Sequence, residues 1–105
     1  MREQFQEELD GVSATLVQMA GLVKVAMEHA TTALLTADLT LAEKVIADDS
    51  IIDDMQHELD ARTIKLITLQ GPVASDLRTL VTSLRMSADL ERMGDLAHRD
   101  RKSVV

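Results

Sequence analysis

One heptad seam constrains this chain more than any other feature. Phe5, Leu9, Val12, Leu16, Met19, Val23, Ala26, Ala30, Ala33 and Ala37 follow one another at alternating steps of four and three residues. Only a helix puts such residues on one side, and a seam this long demands partner helices to cover it. Gly11 and Gly21 are weak helix formers within it, each costing about 1 kcal/mol relative to Ala. Past Val23 the seam narrows to Ala, so a neighbouring helix can come close there.

The partners follow in the same chain. Asp38 ends the first run and can cap the next helix, and Thr40-Leu41-Ala42-Glu43 also matches a capping box. A second seam runs through Leu41, Val45, Ile52, Met55, Leu59, Leu66 and Leu69, interrupted at Asp48 and Arg62. Ala47-Asp48-Asp49-Ser50 contains three weak helix formers, so a kink or short break is expected there. Gly71-Pro72 is the sharpest punctuation, with Gly suited to a helix end and Pro to the first turn of the next. So short a connection makes the second and third helices antiparallel neighbours. On the third, Val73, Leu77, Leu80, Leu84 and Ala88 are expected to face inward, and Met86, Leu90, Met93 and Ala97 form a second stripe. The predicted fold is all-α, an antiparallel three-helix bundle with helices over 3–37, 39–70 and 73–99.

Composition narrows the function. The chain has 105 residues, enough for one domain. With no Cys, disulfides and thiolate zinc sites are excluded. Phe5 is the single aromatic residue, so nucleic-acid stacking platforms are excluded too. The net charge of −7 argues against a general binder of nucleic acid or anionic membrane. No apolar run approaches the ~18 residues of a membrane span. Met1-Arg2-Glu3-Gln4 reads as helix from the start and not as a signal peptide. The expected location is the cytoplasm.

Catalytic patterns are thin. No Ser sits in a nucleophile elbow, and His29, His57 and His98 read as scattered surface side chains, with His57, one turn past Asp53, the best candidate ligand among them. Carboxylates are more informative. Asp49 and Asp53 lie four apart on the second helix, and Glu91 and Asp95 do so on the third, so each pair shares a face. Counted from the Gly71-Pro72 turn, the pairs are centred about 20.5 residues before it and about 21.5 after it. At 1.5 Å per residue both lie about 31 Å deep, so an antiparallel hairpin sets them side by side. Ser87, Ala88 and Gly94 leave room around the third-helix acids. Four clustered carboxylates repel one another and need cations, either a metal or Arg; the plain alternative is a solvated acidic flank. Oxygen ligands admit divalent or trivalent Mg, Mn or Fe, and His57 would open Zn or Ni.

Arg78, Arg85, Arg92 and Arg99 recur every seven residues on the third helix. They read as salt-bridge partners of acids on neighbouring helices. The functional alternative is a docking strip, with Arg78, Arg85 and Arg92 as the partner-binding candidates. The last six residues, 100–105, break the helical pattern, and one codon choice for them spells the start of a sequencing-library adapter. They read as a read-through artefact, the plain alternative being a frayed natural terminus, with the domain proper over residues 1–99.

The runs Asp38-Leu39 through Leu41-Ala42-Glu43-Lys44-Val45-Ile46, Leu69-Gln70-Gly71-Pro72-Val73-Ala74-Ser75-Asp76-Leu77-Arg78 and Asp89-Leu90-Glu91-Arg92-Met93-Gly94-Asp95-Leu96-Ala97 resemble the PhoU family. The resemblance covers essentially residues 1–99 and implies one of two tandem three-helix repeats. It implies multinuclear metal clusters held by Glu/Asp-x-x-x-Asp motifs, which Glu91 and Asp95, and Asp49 and Asp53, match. It also implies a regulator of phosphate uptake that restrains the phosphate-starvation response. The implied partners are a sensor histidine kinase and the ATP-binding subunit of the phosphate transporter, which would hold it at the inner-membrane periphery. The reading is therefore a metal-binding interaction module, not an enzyme. The rivals are a ferritin-like di-metal oxidase, disfavoured because Glu-x-x-His on two helices and a fourth helix are missing, and a structural coiled coil. Aliphatic stripes on two faces of the third helix predict self-association into a homo-oligomer.

Overall fold

The computed structural model describes residues 2–100, apart from the side chains of Arg2 and Asp100. Three helices run in sequence, α1 (Arg2–Thr36), α2 (Leu39–Gln70) and α3 (Ala74–Asp100), and each packs against both others. The bundle is a rod of 52 × 17 × 17 Å. Among the described residues there is no strand. The expected boundaries hold to within one residue at each end.

The α1 seam is the spine of the core. Its members from Phe5 to Ala33 are all buried, and Val12, Met19 and Ala33 are sealed completely. Ala37 is the exception. It takes φ 52° and ends the helix, so it turns the chain instead of packing. α1 is long and apolar enough to meet the length and hydropathy condition for crossing a membrane, with a mean hydropathy of 1.2 over its best stretch. That corrects the expectation drawn from unbroken apolar runs, which overlooked how many of its small residues count as apolar. The same residues supply the core that α2 and α3 cover.

Asp38 caps α2, its Oδ1 accepting from the Leu41 backbone N–H at 3.1 Å. α2 then continues without a break through Asp48-Asp49-Ser50. Weak propensity there is outweighed by burial of Val45 and Ile52 on either side. Leu66 is buried as expected, but Leu69 near the end of the helix is exposed. Thr63 takes an interior position that an apolar count passes over. Its hydroxyl is satisfied by the Leu59 carbonyl at 2.8 Å, so it can be buried. Gly71 closes α2 at φ 53°, and Pro72 stands two residues ahead of α3 instead of in its first turn.

The inward face of α3 differs from the expected one. Its buried stripe is Leu80, Ser83, Ser87, Gly94 and Ala97, with Leu90 partly buried between them. Val73 and Leu77 are exposed, Leu84 and Ala88 lie at the edge of the stripe, and Met86 and Met93 are exposed. The reason is size. Small residues let α3 sit close to its neighbours, and a hydroxyl bonded to its own helix, as Ser83 is to Thr79 at 3.0 Å, packs as a small apolar group does. Asp100 continues α3 by one residue, and the rest of the expected tail, 101–105, lies outside the described residues.

Two glycines give opposite expectations. A Cβ at Gly21 would meet nothing within 4 Å, so Gly21→Ala should raise stability by about 0.5–1 kcal/mol through helix propensity. A Cβ at Gly71 is equally free of neighbours but its φ is left-handed, so Gly71→Ala should cost about 1–2 kcal/mol. Urea titration of the two variants checks both signs.

Candidate metal centre

The antiparallel α2/α3 pair brings the two acidic pairs to one level, as the count from the turn predicted. The two helices come close at Gly94. A Cβ added there would stand 3.3 Å from Ile52 Cδ1 and 3.8 Å from Asp49 Oδ1. The acids flank this contact, Asp49 and Asp53 on α2 and Glu91 and Asp95 on α3. All four are partly buried.

The field among them is unfavourable to charge. Burial pushes the Glu91 carboxyl above its ordinary value, and Asp95, Asp53 and Asp49 push it further, against a weak opposing pull from Arg92. Burial raises Asp49 as well; His98 pulls it down, while Asp95 and Asp53 push it up. Glu91 therefore senses all three aspartates, and Asp49 senses Asp53 and Asp95. Among the described residues, no three His, Asp or Glu side chains are already gathered around one point. Carboxylate oxygens are the donor type that hard and borderline cations take.

These shifts set a pH dependence. A carboxyl whose folded pKa is raised binds its proton more readily folded than unfolded, so acidification favours the fold through that group. The contribution is lost as pH rises from the ordinary values, 3.8 for Asp49 and 4.5 for Glu91, through the raised folded ones. The double variant Asp49→Asn/Glu91→Gln removes this penalty. In chelator it should gain stability over the wild type at neutral pH, and the gain should shrink as pH falls into the acid range. Thermal melts across pH read the difference, and a gain that grows on acidification would overturn the assignment.

Sequence reasoning missed two histidines. His29 Nδ1 donates to Asp48 Oδ2 at 2.9 Å, tying α1 to α2, and both side chains are partly buried. His98 Nδ1 stands 3.3 Å from Asp49 Oδ2, tying α3 to α2. Adjacent acids on α2 thus each meet a histidine from a different helix. Counting depth from the 37–38 turn would have found the first, since His29 and Asp48 lie at nearly equal distances from it. His57, the expected candidate, is three-quarters exposed and donates to its own helix at Asp53 O, 2.9 Å away.

The arginine stripe also differs from its plainer reading. Arg92 pairs with Asp89 at 3.5 Å and Arg99 with Asp95 at 2.9 Å, both within α3 and not across to another helix. Arg78, Arg85 and Arg92 are exposed. Arg78, Asp89, Leu16, Val17, Met86 and Leu90 are among the residues lining a largely apolar groove of about 630 Å³ between α1 and α3.

A family model described as PhoU domain matches residues 16–99. The chain belongs to the PhoU family. It is 46% identical over 97 residues to the phosphate-specific transport system accessory protein PhoU homolog 2 of Mycobacterium tuberculosis, a match covering 92% of this chain and 46% of that protein. It is 41% identical over 101 residues to the corresponding PhoU homolog of Rhizobium meliloti, covering 96% and 43%. The PhoU homolog of Clostridium acetobutylicum matches at 38% over 97 residues, covering 91% and 44%. This PhoU-family chain therefore spans a little under half the length of those relatives. The range that the family model matches spans both acidic pairs, His29 and His98.

Proposed function

We infer that this chain is a regulatory module of a phosphate-uptake system, working without catalysis through a metal centre on α2 and α3 and a protein-binding surface. The observation that carries the metal reading is the level pairing of Asp49/Asp53 with Glu91/Asp95, where burial first, and the neighbouring acids after it, raise the Asp49 and Glu91 carboxyls above their ordinary values. Those four residues would hold the ion. When bound it would add positive charge among the four carboxylates and so tie α2 to α3. The relatives' names, accessory proteins of phosphate-specific transport, support the choice of system. The partners that fit are the ATP-binding subunit of the transporter and the sensor kinase that reports phosphate starvation. Exposed Arg78, Arg85 and Arg92 offer them a basic contact face on an otherwise acidic protein.

The test is a two-part binding and signalling assay. The purified chain is presented to the ATP-binding subunit and to the cytoplasmic part of the kinase, with and without Mn. Cells lacking their own accessory protein then receive the gene, and a phosphate-responsive reporter is measured. Capture of either partner, weakened by Arg78→Glu/Arg85→Glu, together with a lowered reporter signal, is the expected result. Neither capture nor reporter change would overturn the reading.

A further inference from the structure

We propose that the groove between α1 and α3 is a homodimer interface, in which a second copy of this chain packs antiparallel and each Arg78 meets the partner's Glu28. The proposal goes beyond the regulatory reading above and does not rest on the metal centre. Three observations carry it. First, the groove is long. The cavity of about 630 Å³ beside Leu16 continues past Ala20 and Leu90 into one of about 570 Å³ beside Met27 and Met93, and a smaller one follows beside Leu96. From Arg78 to Leu96 it follows α3 for about 27 Å. Second, its lining is apolar and uncovered. Val17, Met27, Met86, Met93 and Leu96 are 41–72% exposed. Three of the chain's six methionines lie here, and methionine adapts its shape to a partner.

Third, its charges complement themselves. Arg78 lies eight residues before Met86 on α3. Glu28, on α1, lines the groove beside Met93, seven residues after Met86. The two thus stand about 10–12 Å from the level of Met86, in opposite directions along the bundle. Both are exposed, and among the described residues neither forms an ion pair within the bundle. A two-fold axis through the level of Met86, perpendicular to the helices, sets each Arg78 opposite the partner's Glu28. In such an isologous contact residue i meets j while j meets i. Lys24 and Asp89, the other charged residues on the lining, both lie beside Leu90 and offset each other. The competing occupant is a helix of another protein. A helix edge of one charge sign would match one end of the groove and be repelled at the other, whereas a second copy brings both signs in the required order.

The experiment is sedimentation of the full chain alone across the micromolar range. The variants are Met86→Glu, Arg78→Glu, Glu28→Arg and, as a control of equal charge change on exposed α2 surface, Lys44→Glu. Circular dichroism melts confirm that each is folded. Wild type and Lys44→Glu should be dimers. Met86→Glu, which sets two like charges against each other at the axis, should be a monomer. Arg78→Glu and Glu28→Arg should each dimerise at least about tenfold more weakly, since like charges then face each other twice. Mixed together, these two should recover a dimer, because one carries acids at both positions and the other bases at both. That recovery belongs to the two-fold pairing and not to a structural role of either residue. A monomeric wild type overturns the proposal and leaves the groove to another protein. Oligomers that grow without limit, or a dimer unmoved by Met86→Glu, overturn it as well, as does loss of the dimer in both charge variants with no recovery on mixing.

Discussion

Leu59→Ala should lower the stability of the bundle by about 2–5 kcal/mol, the largest loss expected from any single aliphatic truncation in α2. Leu59 is fully buried in the core cluster that joins all three helices. Its neighbour by one turn, Thr63, is bonded to the Leu59 carbonyl, so the backbone there is fixed and cannot collapse freely into the space left behind. Natural domains are stable by only about 5–15 kcal/mol, so the loss takes a large share of the total. For a domain of this size each kcal/mol moves the melting temperature by about 4–8 °C, so the shift is easy to read. Leu16→Ala on the α1 seam belongs to the same class. Leu84→Ala, at the edge of the α3 stripe, should cost less than either, and Leu69→Ala, two-thirds exposed, should stay within about 0.5 kcal/mol. Urea titration of the four variants orders them. A Leu59→Ala loss no greater than that of Leu69→Ala would show that the core lies elsewhere.

That ordering separates what the sequence could tell from what it could not. α1 was legible almost residue by residue, Ala37 apart, because its core contacts are apolar residues at unbroken heptad spacing, and the pattern names the buried face without help. Both turns were legible because Asp38 and Gly71 carry chemistry that ends or begins helices. α3 was legible as a helix but not in its facing. Its interior positions are Ser83, Ser87 and Gly94, which score as polar or neutral, while Val73 and Leu77 score as core and lie exposed. Tight packing selects small side chains, and a hydropathy count cannot tell a small buried hydroxyl from an exposed one. The same limit hid His98. Its partner is on another helix, and only the helix spacing set by Gly94 brings the two together. The acidic pairs escaped this limit because their depth could be counted from a single turn of nearly zero length.

Divalent metal should raise the melting temperature of the wild type, and Glu91→Gln should weaken that rise while leaving the metal-free protein no less stable. A ligand that binds only the folded state stabilises it by RT ln(1 + [L]/Kd), about 2.7 kcal/mol at a hundredfold excess over Kd. At about 4–8 °C per kcal/mol, the shift exceeds about 10 °C. Glu91 is the cleaner of the α3 acids to test, since Asp95 is already held by Arg99 at 2.9 Å. The ionised Glu91 carboxylate is disfavoured by burial and by three neighbouring acids, and Arg92 offsets this only weakly. Replacing it with Gln keeps the shape and removes the charge, so repulsion falls in the metal-free state while one oxygen donor is weakened in the metal-bound state. The two effects have opposite signs, and that separates a metal centre from a salt-bridge cluster. In a cluster neutralised by Arg alone, losing the carboxylate would destabilise the metal-free protein and metal would change nothing. Melts of wild type and Glu91→Gln, each in chelator and in Mn, read all four states. A metal-free Glu91→Gln less stable than metal-free wild type, with no response to Mn in either, would leave the arginine reading standing and remove the metal from this bundle.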